Sequence, residues 1–165
     1  MNAITEISPL AAEPPQSGAP AETFVLRRTG KKPMRIEGWL LVDAASTAEP
    51  GLVRYDLRLY RTLRGQIVIE LVVHREALGA ADIELAESQP DLGAASAWLE
   101  AYDSASDLPV PPSLTDKDKP LAAAALQAVA LRQQAARVRD EFACLLSDVF
   151  AALGIAETLE PVDGD

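Results

Sequence analysis

Residues 121–153 read LAAAALQAVALRQQAARVRDEFACLLSDVFAAL, an unbroken run without Gly or Pro. Apolar residues recur at Ala124, Ala128, Leu131, Ala135, Val138, Phe142, Leu145, Val149 and Ala152. Steps of four and three alternate along this seam, which is the spacing that keeps one helix face turned towards a single surface. The stretch predicts one helix over 121–153, ended by Gly154. At about 1.5 Å per residue it is roughly 50 Å long, against about 30 Å for a small domain. Part of it is therefore expected to project or to find a partner. Its first half is crowded with alanine, and its second half holds Phe142, Leu145, Leu146, Val149 and Phe150. Large side chains bury more area than alanine, so the second half is expected to supply the core contact. Ala124, Ala128, Leu131 and Ala135 form the candidate helix interface, facing a second protomer, another helix or the helix at 92–102.

The stretch before it predicts a sheet. From Thr23 the pattern has period two, giving strands at 23–28, 35–43, 52–61 and 66–74, with a short edge strand at 82–86. Short turns at Thr29–Pro33 and Thr62–Gly65 make an antiparallel meander the economical topology. The expected inward face comprises Ile36, Leu40, Tyr55, Leu57, Leu59, Ile67, Ile69, Leu71 and Val73. Gly38 interrupts the second strand and marks a bulge or a close approach by the helix. Asp91 is placed to cap a helix over 92–102, with Ala95, Trp98, Leu99 and Tyr102 on one side. Residues 103–120 carry Pro109, Pro111, Pro112 and Pro120 and read as a semi-extended linker. Asp118 or Lys119 is expected to cap the long helix. The fold class is thus α+β: a four- to five-stranded antiparallel meander packed by a short helix and a long C-terminal helix, in one domain spanning 22–156. Residues 1–21 are Pro- and Ala-rich without apolar period, and 157–165 are acidic; both read as disordered tails.

Charge is unevenly distributed. The 165-residue chain carries −10 overall. Between Arg27 and Arg75, ten basic residues face five acidic ones. That segment is +5, so the remainder carries −15. The whole surface therefore does not suit duplex DNA, which requires a basic footprint. Arg35, Trp39, Arg54, Arg58 and Tyr60 are the candidate binding surface, on the outer face of the meander. In one reading this face is solvated and laced with ion pairs to Glu37, Asp56 and Glu70. In the other it binds single-stranded nucleic acid, with bases stacked on Trp39 and Tyr60 and phosphates held by arginines. The first reading is preferred, because a paired arginine is unavailable to phosphate.

Catalytic and metal motifs are not legible. His74 and Cys144 are the only residues of their types, which leaves no His/Cys ligand cluster and no internal disulfide. His74 reads as a solvated strand end rather than a general base. Gly30-Lys31-Lys32 lacks the Gly-rich lead and Lys-Ser/Thr ending of a phosphate loop and reads as a basic turn. No cofactor is implied. Met1–Pro20 lacks the basic and apolar regions of a secretory signal. The helix at 121–153 carries Arg132, Arg137, Arg139, Asp140 and Glu141, which excludes it as a membrane span. The expected setting is the cytoplasm. The expected function is non-enzymatic: a protein-binding module of adaptor, chaperone or inhibitor type, with a protein partner or a second copy as ligand. Single-stranded nucleic acid is the alternative ligand.

Overall fold

The computed structural model describes residues 19–47 and 52–155. Of the expected tails at 1–21 and 157–165, residues 1–18 and 157–165 lie outside that range. Five strands run in sequence order across one antiparallel sheet: β1 (Glu22–Leu26), β2 (Met34–Ala45), β3 (Arg54–Thr62), β4 (Ile67–His74) and β5 (Ile83–Gln89). Helix α1 (Leu92–Ala101) and helix α2 (Leu121–Ala152) follow. The class is α+β, as the period-two pattern followed by the heptad seam predicts. Asp91 caps α1 by accepting the Ala94 N–H at 2.8 Å. Gly154 ends α2 at φ +69°, where an L side chain would be strained. Helix α2 has no side-chain cap: it starts after Pro120, so neither Asp118 nor Lys119 plays the expected part.

Strand β3 sets the core. Val53, Tyr55, Leu57 and Leu59 alternate with Arg54, Asp56 and Arg58, and Tyr55, Leu57 and Leu59 pair with Val73, Leu71 and Ile69 of β4. These residues pack under Ala95 and Leu99 of α1 and under Val138, Phe142, Leu145, Leu146 and Val149 of α2. Burying a Leu or Phe contributes about 1.5–3 kcal/mol, so this layer carries most of the stabilisation.

The sheet has a second apolar face, which corrects the expected inward list. A bulge between Leu40 and Val42 puts an extra residue into β2. One extra residue reverses which side every earlier side chain faces. Val42 therefore joins the helix-side core, while Ile36 and Leu40 join Leu26, Tyr60, Val68 and Ala86 on the opposite face. No helix among the described residues packs on that face. The sheet instead rolls until the chain just past β1 meets β5. The Thr29 N–H donates to the Glu84 carbonyl, and the Glu84 N–H donates to the Thr29 hydroxyl, each at 2.8 Å. Lys31 reaches Glu87 of the same strand at 3.4 Å. The turn at Gly30 thus covers the β5 edge, which would otherwise offer unpaired backbone groups. Gly38 marks a close approach by β3 rather than by the helix. A Cβ there would lie 2.0 Å from the Arg61 carbonyl oxygen, which only glycine permits.

The expected linker is folded onto the core. It forms 3-10 turns at Ser104–Asp107 and Pro112–Leu114, with Ser104, Asp107 and Leu108 buried.

Candidate interaction surface

Every buried residue of α2 lies between Val138 and Val149. In the half from Leu121 to Arg137, Leu131 and Ala135 are partly buried against the core. Ala124 and Ala128 are also partly buried. Gln127, on the same side, accepts from the Ser113 hydroxyl at 2.9 Å and from Lys119 at 3.3 Å. The chain's own Pro112–Leu114 turn therefore occupies the side of the helix that holds the seam.

The side turned away from the turn is apolar as well. Leu126 is 73% exposed and Val129 49%, with Ala122, Ala125 and Ala130 beside them, while Leu121, on the seam side at the helix start, is 86% exposed. No residue from Leu121 to Leu131 is charged, although a quarter of the chain is. A solvated helix face normally carries charge and polar groups, whereas a helix that is apolar all round is a buried one. Sequence reading did not single out Leu126 and Val129, because they lie off the seam. The missing charge around them was the available signal.

The basic candidates are split between two faces. Trp39 pairs with Arg61 and lies on the same side of β2 as Arg35. Arg54, Arg58 and Tyr60 project from the opposite side of the sheet, because the β2 bulge separates the two sets. Tyr60 is 4% exposed. Its ring packs on Phe24 at 4.7 Å, and its hydroxyl donates to Glu70 at 2.7 Å. It has no free ring face for a base. Arg58 lies 3.2 Å from Asp43 and 3.4 Å from Glu70. Burial opposes its charge, but the two carboxylates more than restore it. Trp39 donates its indole N–H to the Ala19 carbonyl at 3.1 Å. Asp56, expected on an arginine, is instead 2.7 Å from His74 Nε2, while Asp82 is 3.0 Å from Nδ1. His74 is thus a crosslink between β3, β4 and the start of β5. Asp82 is held below the ordinary carboxylate range, first by the Arg75 N–H and then by His74.

A buried polar cluster sits beneath the carboxy half of α2. Asp107 is 3% exposed and accepts from the hydroxyls of Tyr55 and Tyr102, each at 2.8 Å. Burial raises the Asp107 carboxyl, against the tyrosine hydrogen bonds and the nearby Arg75 charge. Burial also raises both phenols, and the Asp107 charge adds to that effect. The rings of Tyr55 and Tyr102 flank Phe142 at 4.9 and 5.3 Å. A carboxylate this enclosed, satisfied by its own chain, ties the linker to the core. Nothing in the sequence spacing joins Tyr55, Tyr102 and Asp107.

Among the described residues, no three His, Cys, Asp or Glu side chains are placed to hold a metal ion. No helix among them is long and apolar enough to cross a membrane. Comparison with protein-family models, curated proteins and solved structures finds no match for this chain.

Proposed function

We propose that this protein acts by binding a polypeptide through the outer side of the amino half of α2. The observation that carries the reading is the uncharged stretch Leu121–Leu131, which turns its one polar side chain, Gln127, back onto its own chain and presents Leu121, Leu126 and Val129 to solvent. Apolar side chains concentrated on one projecting element are a common mark of an interaction site. A photo-crosslinking residue placed in turn at positions 126, 129 and 134 of the full chain, in cells of its native host, tests it. A discrete crosslinked polypeptide is expected from 126 and 129 and not from the exposed Gln134. Equal, featureless crosslinking at all three positions would dismiss the reading.

One observation favours a second reading, single-stranded nucleic acid. Arg35, Trp39 and Arg61 share a side of the sheet, and Arg35 and Arg61 are exposed. The −15 carried by the rest of the chain opposes it. The expected result is no rise in the anisotropy of a labelled oligonucleotide at physiological salt. Tight, salt-sensitive binding lost in Arg35→Ala/Arg61→Ala would favour nucleic acid instead.

A further inference from the structure

We infer that the polypeptide bound by the outer side of α2 is a second copy of this chain, docked antiparallel along residues 121–132; the inference rests on the reading of that surface given above. Three features of the surface are self-complementary. Leu126 and Val129 stand one turn apart as a ridge, and Ala122, Ala125 and Ala130 beside them leave shallow grooves. Two copies can therefore seat ridge in groove at short axial separation. A two-fold axis near Leu126 sets the two copies' Leu126 side chains against each other at the centre, flanked on both sides by one copy's Ala122 opposite the other's Ala130.

The charges at the two ends of the patch set the direction. Beyond its carboxy end, the exposed Arg132 is the first charge. Before its amino end lie the exposed carboxylates Asp116 and Asp118, with Lys119 drawn in towards Gln127 and Lys117 between them. Antiparallel docking places Arg132 of each copy near the other's Asp118 turn. Parallel docking places Arg132 against Arg132, with nothing acidic in reach on the patch. Antiparallel helices also set opposite dipole ends side by side. Each copy carries −10, so raising the salt concentration screens repulsion between the copies while leaving the apolar contact intact. Association is expected to tighten with salt, the reverse of an interface held by ion pairs.

Sedimentation of the full chain across micromolar concentrations tests the pairing. A monomer–dimer equilibrium is expected, weakened at least about tenfold in Leu126→Glu/Val129→Glu, as for central interface residues. Both positions are exposed, so circular dichroism should show an unchanged fold. Direction is read in a Cys144→Ala background, by mixing equal amounts of Ala122→Cys and Ala130→Cys proteins under mild oxidation. The mixed 122–130 disulfide should predominate. A wild-type chain that remains monomeric, a dimer indifferent to the double glutamate variant, or a predominance of 122–122 and 130–130 disulfides would each overturn the inference. A monomeric chain that still crosslinks to a different protein from position 126 would overturn self-docking and leave the binding surface standing. A monomer without position-specific crosslinks would remove both.

Discussion

The two halves of α2 share one helix and one heptad seam, yet they do different work. From Val138 to Val149 the seam lies on the sheet, with Phe142 between Tyr55 and Tyr102. From Leu121 to Arg137 the helix is backed by a 3-10 turn, touches the core at Leu131 and Ala135, and turns its outer side to solvent. A repeating seam therefore does not mean a uniform contact. Side-chain size decides which half can hold a core, and the reach of the sheet decides where the core stops.

The difference is tested most sharply at Phe142. Phe142→Ala should cost about 3–5 kcal/mol and Leu57→Ala about 2–5 kcal/mol, read by urea or thermal unfolding, since both are buried large-to-small changes. Near-zero costs would mean that the carboxy half is not the core half.

Asp107 probes what joins the linker to that half. Asp107→Ala leaves the Tyr102 hydroxyl without its acceptor, and Tyr55 with only the Ser104 carbonyl at 3.1 Å. The expected cost is about 1–3 kcal/mol. The carboxyl also imposes a pH dependence. Burial raises it above its ordinary 3.8, so the folded chain holds this proton more tightly than the unfolded one. The resulting stabilisation is complete below the unfolded value and is lost as pH rises through the folded value. Relative to Asp107→Asn, the wild type should therefore lose stability as pH rises above about 4. A difference between the two that is flat with pH would show that the carboxyl is not raised.

Leu131 lies at the boundary between the halves, partly buried against the core. Leu131→Ala should cost less than Phe142→Ala, about 1–2 kcal/mol, since only part of its area is removed from water. An equal cost would move the boundary towards the amino end. Leu126→Ser, on the outer side, should change the stability of the monomer by no more than about 0.5 kcal/mol. A larger loss in unfolding of dilute protein would mean that this side chain is already covered within its own chain.

Much of the fold is legible in the order of residues. Alternation across Leu57, Leu59, Ile69, Leu71 and Val73 predicts β3 and β4 and the face they bury. Asp91 and Gly154 predict a helix start and a helix end. Alternation fails at Trp39-Leu40-Leu41-Val42, where four apolar residues run together. A pattern of period two has no way to show which of them is the extra one. The inner side of the rolled sheet is signalled only weakly, by the apolar Tyr60 and Val68 at positions the alternation assigns to the outer face. Of the candidate surfaces, the helix is located by its length and its unbroken seam. The seam residues Ala124 and Ala128 were selected for periodicity, and the chain's own turn occupies that side.

By itself, the sequence determined the α+β class, the meander order, the two helices and the uneven distribution of charge. Those follow from local periodicity and turn chemistry, which act between residues close in the chain. Tertiary structure alone decided that Ile36 and Leu40 turn away from the helices, that Tyr60 is buried, and that Asp107 meets Tyr55 and Tyr102. It also decided that Leu126 and Val129, rather than Ala124 and Ala128, face solvent. Each of these depends on a single bulge or on contacts between residues distant in sequence, and no local pattern records which distant groups will compete for the same space.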